Sequence, residues 1–111
     1  MSDKIAIVDT LMGYYNAQDA DSYADMFTGT GSEAGYRGAV VREGREGVRE
    51  GLKKIFAEFP GNRADILQKF AMGDYVVLHE RVYRSNDAEP FDVMSVYSFS
   101  GDQVDRVEFI R

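Results

Sequence analysis

Apolar positions recur at helical spacing through the first half of the chain and alternate through the second, with the change of period at Pro60-Gly61-Asn62. Ile5, Val8, Met12 and Tyr15, with Ile7, Leu11 and Tyr14 beside them, form the stripe of a first helix that Ser2 or Asp3 can cap and Asn16 can end. Asp19 caps a short second helix with Ala20, Tyr23, Ala24 and Phe27 on one face. The stretch from Thr28 to Gly38 carries Gly29, Gly31, Gly35 and Gly38, too many for a helix, and predicts a loop or a bent edge strand. Ala39 to Arg42 suits a short strand. A third helix starts within Glu43 to Glu46, where carboxylates favour a helix N-terminus, and turns Val48, Leu52, Ile55, Phe56 and Phe59 to one side.

Beyond Pro60 the period becomes two. Ala64, Ile66, Phe70 and Met72 alternate with Asp65, Leu67, Lys69 and Ala71; Gly73-Asp74 turns the chain into Tyr75 to Tyr83; Phe91 to Phe99 and Val104 to Ile110 follow, joined at Gly101-Asp102. Ser85 to Pro90 is the longer loop. Three helices followed by a meander of strands define an α+β class, with a curved, mainly antiparallel sheet folded over the helices.

The 111 residues fit one domain, 1–111, with a single core. A net charge of -6 opposes a phosphate backbone or an anionic membrane surface, so neither nucleic acid nor membrane is an expected partner. The chain has no cysteine, which removes disulfides, thiolate metal sites and thiol nucleophiles. With one histidine and no calcium-loop spacing among the carboxylates, no metal is expected. Gly29-Thr30-Gly31-Ser32-Glu33-Ala34 matches a dinucleotide fingerprint in letters but follows a helix and opens none, so no cofactor is expected. The start, Met1-Ser2-Asp3-Lys4, lacks signal-peptide features, and a cytoplasmic location is the expectation.

The chemistry concentrates between Asp74 and Arg84. Val77, His79, Arg81 and Tyr83 share one parity, so their side chains share one face of a strand. An imidazole, a guanidinium and a phenol on one face predict the wall of a polar-bottomed cavity, with His79, Arg81 and Tyr83 as catalytic candidates. Glu80 shares parity with Leu78 and Val82 and is assigned to the outer face. His79, with an intrinsic pKa of about 6.5, suits acid or base work, or else is a core imidazole satisfied by a neighbouring strand. Arg81 binds an anionic or carbonyl group or forms a salt bridge with Glu33 or Glu108. Tyr14, Tyr15, Tyr36 and Tyr83 can donate to a carbonyl oxygen or serve the core.

Tyr15-Asn16-Ala17-Gln18-Asp19, Met26-Phe27, Gly44 to Arg49, Gly73 to Val77, His79 to Val82, Val96-Tyr97 and the ending Gly101 to Arg111 together resemble the SnoaL-like branch of the nuclear transport factor 2 superfamily. That superfamily includes ketosteroid isomerases and limonene epoxide hydrolases. The resemblance implies a cone-shaped, cystatin-like half barrel with a pocket between helices and sheet, dimeric through the sheet's outer face. Where an isomerase carries its oxyanion-binding tyrosine this chain has Leu11; its basic aspartate falls near Gly35 or Tyr36, with Glu33 the nearby carboxylate; its protonated aspartate falls at Ser95. The hydrolase's Arg-x-Asp strand reads Arg81-Val82-Tyr83 here, and its second aspartate falls at Phe109. Tyr15, Tyr36, Ser95 and Phe109 are the resulting ligand-binding candidates. The expected function is an isomerase, cyclase or hydrolase acting on a small apolar molecule with a polar end. The alternatives are a non-catalytic ligand-binding module and a protein-interaction dimer.

Overall fold

The computed structural model describes residues 3–111. Three helices, α1 (Lys4–Asn16), α2 (Ala20–Asp25) and α3 (Gly44–Glu58), accompany six strands: β1 (Phe27–Gly35), β2 (Val40–Arg42), β3 (Arg63–Met72), β4 (Tyr75–Tyr83), β5 (Phe91–Ser100) and β6 (Gln103–Ile110). The α+β expectation holds. Asp3 caps α1, its Oδ1 accepting from the amides of Ile5 at 3.0 Å and Ala6 at 3.3 Å, groups that the first helical turn leaves without partners. Ser2, the other candidate cap, lies outside the described residues. Asp19 caps α2 through the Ser22 amide at 3.0 Å.

The strands form one sheet in the order β2-β1-β6-β5-β4-β3. Every neighbouring pair is antiparallel except β1 with β6. The glycine-rich run is thus a strand as far as Gly35, irregular in register, paired with β6 on one side and with the short β2 at Glu33 and Ala34 on the other. Gly31 explains part of that composition, since a Cβ there would stand 2.9 Å from the Val104 carbonyl oxygen of β6. Phe27 opens β1 and does not extend α2. Gly73 and Gly101, at φ +58 and +60, make the two tight hairpin turns where the sequence placed them.

Val8, Leu11 and Met12 of α1 and Val48, Leu52 and Phe56 of α3 meet Val76, Leu78 and Val82 of β4, Val93 and Tyr97 of β5, and Val104 and Val107 of β6 in one buried cluster. A register shift between Ile66 and Gln68 inserts one extra residue into β3. Cross-strand partners share a face. Ala64 and Ile66, opposite Val82 and Glu80, therefore face the helices, whereas Phe70 and Met72, opposite Val77 and Tyr75, face outward. A uniform alternation across Ala64 to Met72 misses this switch, because a bulge exchanges the two faces.

In β4 the assignment of faces from sequence is reversed. Val76, Leu78, Glu80 and Val82 are buried toward the helices, and Tyr75, Val77, His79, Arg81 and Tyr83 point out. The physical reason is the comparison of the two sets. Facing Val76, Leu78 and Val82 inward buries three aliphatic side chains and a single carboxyl, whereas the opposite register would bury an imidazole and a guanidinium together.

Candidate functional site

The tapering space between the helices and the inner face of the sheet is a cavity of about 410 Å³. Its depth is lined by Met12, Tyr23, Leu52 and Tyr97; Glu33, Glu80 and Ser95 provide buried polar groups; Val41, Arg84, Phe91 and Arg111 stand toward its open end.

Two carboxyl groups enter this space from different strands. Glu33 of β1, 1% exposed, accepts from the Arg42 guanidinium at 2.5 Å and from the Tyr23 hydroxyl at 3.0 Å. Arg42 reaches it by crossing α3 at Gly51, where any Cβ would stand 2.1 Å from the arginine Cδ. Glu80 of β4, 6% exposed, has no basic partner among the described residues; it accepts a hydrogen bond from the Ser95 hydroxyl at 2.5 Å. Burial drives its carboxyl up to about 7, opposed by the Ser95 bond and reinforced by the negative charge of Glu33. Glu80 is thereby divided between acid and base near neutrality.

The phenols around these carboxyls differ in what their protons can do. Tyr23 spends its proton on Glu33. Tyr15 accepts from Asn62 Nδ2 at 2.8 Å, and the amide is fixed in that orientation because Arg84 donates to Asn62 Oδ1 at 2.9 Å. The Tyr15 hydroxyl proton therefore remains to be donated into the cavity that its ring lines. Tyr97 donates to the Met12 thioether, at 3.7 Å, a weak acceptor. Burial raises the pKa of Tyr15 and, more strongly, of Tyr23 and Tyr97, so all three stay protonated at neutral pH.

Of the ligand-binding candidates, Tyr15, Ser95 and Phe109 line the cavity. Tyr36 does not; it lies beyond β1, 52% exposed. His79, Arg81 and Tyr83 do share a face, but it is the sheet's outer one. There Asp92 of β5 accepts from Arg81 Nε at 2.8 Å and stands 2.9 Å from His79 Nε2. Arg81 chiefly, and His79 next, hold the Asp92 carboxyl down at about 2. In place of the salt bridge expected from Arg81 to Glu33 or Glu108, Arg81 pairs with Asp92, which lies directly across from it on the adjacent β5, whereas β1 and β6 do not neighbour β4. Tyr83 stacks under Arg63, whose Cζ is 4.0 Å from the ring centroid. Glu80, assigned to the outer face, is one of the two carboxyls of the cavity.

Among the described residues, no cluster of three or more His, Asp or Glu side chains is arranged to hold a metal ion. No helix there is long and apolar enough to cross a membrane.

A helix-filled, curved sheet with a polar-ended hollow is the architecture of the nuclear transport factor 2-like proteins. Within that class the chain belongs to the SnoaL-like domain family, whose family model matches residues 8–107. A crystal structure of an uncharacterized cystatin-fold protein from Novosphingobium aromaticivorans is 45% identical, each chain covered in full, with a TM-score of 0.94. A ketosteroid isomerase-like protein from Catenulispora acidiphila, in complex with trimethylamine, superposes with TM-score 0.78 at 16% identity, over 95% of this chain and 84% of that one. The epoxide hydrolase/cyclase-like enzyme SalBIII, described for pyran ring formation in salinomycin, superposes with TM-score 0.82 at 18% identity, over 96% and 88%. No curated protein sequence matches the chain.

Proposed function

We propose that the chain is a small-molecule acid–base enzyme in which Glu80, not His79, transfers the proton. The observation that carries this reading is a buried carboxyl with a pKa of about 7, held by Ser95 on the wall of a mainly apolar cavity. A general acid or base is most effective when its pKa lies near the working pH. The ionised carboxylate takes a proton from the carbon next to a carbonyl, or from a hydroxyl that attacks an epoxide. Tyr15 and Tyr97 donate hydrogen bonds to the oxygen on which negative charge grows. Glu80 then returns the proton to the product, leaving the enzyme unchanged. The substrate is a compact apolar molecule with an oxygen function at the depth of Tyr15 and Tyr97. The small molecule held by one relative of this fold and the cyclase-like description of another support a small-molecule site.

Assayed on a panel of enolisable ketones and epoxides, Glu80→Gln should lose roughly 10²- to 10⁴-fold in kcat/KM, whereas His79→Ala should keep near-parental turnover. In the parent, kcat/KM should climb with pH through about 7 as Glu80 ionises. Turnover that survives Glu80→Gln, or that collapses in His79→Ala, would overturn the assignment. Saturable binding of the same compounds without turnover would identify a ligand carrier.

We also propose that a second copy of the chain packs on the outer face of the sheet. Phe70, Met72, Tyr75 and Met94 are exposed on that face, Met72 by 82%, which is a large apolar area for a monomer surface.

A further inference from the structure

The open end of the cavity carries charge of the sign opposite to the protein's own. The chain has a net charge of -6, yet three arginines, Arg42, Arg84 and Arg111, line the cavity against two carboxyls, Glu33 and Glu80. Arg42 is committed to Glu33. Burial raises the Glu80 carboxyl to about 7, which weakens its negative charge at neutral pH. Arg84 and Arg111 have no carboxylate side chain as partner among the described residues; Arg84 donates to the neutral amide of Asn62, and both guanidinium groups rest on aromatic faces. Their Cζ atoms stand 5.2 Å and 4.3 Å from the centroid of the same ring, Phe91, itself part of the cavity wall.

We infer that the molecule bound here carries a carboxylate, gripped by Arg84 and Arg111 at the mouth while its apolar body runs inward past Phe91 and Val82 toward Glu80. This rests on the cavity being the small-molecule site proposed above, and it gives the substrate's second polar group a sign. A guanidinium lying over an aromatic ring directs its in-plane N–H groups past the ring edge, and apart from the Arg84 Nη1 that donates to Asn62 these can form the fork that matches a carboxylate. Two such groups on one ring hold an anion without the desolvation cost of a fully buried charge, because the mouth remains wet. The same field discourages a cationic ligand from passing the mouth to reach Glu33 and Glu80, however well those carboxylates would suit it.

Calorimetric titration of the full chain with decanoate, 1-decanol and decyltrimethylammonium below their micellar concentrations tests the sign directly. Decanoate should bind roughly tenfold tighter than either of the others, the gain expected for charge-assisted hydrogen bonds over neutral ones. Added sodium chloride should erode that preference. Arg84→Met and Arg111→Met should each reduce the ratio of decanoate to 1-decanol affinity, whatever either change does to 1-decanol binding itself. The salt titration on the unaltered chain keeps the test independent of how the variants fold. Equal affinity for all three probes, tighter binding of the cation, or a decanoate preference that survives in both variants would overturn the inference. The outcome is separable from that for Glu80. Loss of turnover in Glu80→Gln with decanoate preference intact upholds both. Decanoate preference in a chain that turns nothing over upholds the anion site alone, and turnover of neutral substrates without any anion preference upholds only the proton transfer.

Discussion

Glu80 is held in a position that costs the fold something as well as serving the cavity. Its carboxyl ionises near 4.5 in an unfolded chain and at about 7 in the folded one, so between those values the native state binds the extra proton. Stability from this group is fully present below about pH 4.5 and disappears as pH rises through about 7, a swing of about 3 kcal/mol. Glu80→Gln keeps the Ser95 partner without the ionisation, and should raise the melting temperature relative to the parent at pH 8 while matching it at pH 4. Thermal melts at the two pH values decide the point; equal differences at both would mean that the carboxyl does not titrate in this window. Sequence made Ser95 and Glu80 visible as residues but not as a pair. Their meeting depends on the β4–β5 register, which sets Leu78 opposite Ser95 and Glu80 opposite Val93.

Between elements, the contact of β2 with α3 is the one that fixes the other carboxyl. Gly51 lies mid-helix, where alanine would ordinarily add about 1 kcal/mol of helix propensity. Here the Arg42 side chain occupies the space that a Cβ would need, and it is held there by Glu33. Gly51→Ala should therefore lower stability by roughly 2 kcal/mol despite the gain in propensity, because it displaces the partner of a buried charge. Denaturant unfolding of the variant tests this, and a stabilised Gly51→Ala would show that Arg42 can pair with Glu33 by another path. The helices were legible from spacing and caps, as Asp3 and Asp19 illustrate. The glycine-rich β1 was less so, since its strand character comes from hydrogen bonds to β6 and β2 and not from its own side chains. The β3 bulge was invisible for a related reason: one inserted residue has no compositional mark.

At the scale of the whole molecule, the sheet has two faces with different work, an inner one holding the cavity and an outer one carrying His79, Arg81 and Asp92 beside Phe70, Met72, Tyr75 and Met94. If two copies pair through the outer face, Met72→Asp or Phe70→Glu should convert a dimer to a monomer in sedimentation velocity without changing turnover per chain. A parent chain that sediments as a monomer at all accessible concentrations would refute the pairing. By itself the sequence determined the class of fold, the order of helices and strands, the caps and the hairpin turns, because helical and alternating periods, capping carboxylates and turn glycines act over a few neighbouring residues. Only the tertiary structure decided which face of β4 looks inward, and with it that Glu80 and not His79 lines the cavity. Both parities of that strand carry apolar and polar groups, and the choice between them is made by what the helices and adjoining strands place opposite each one.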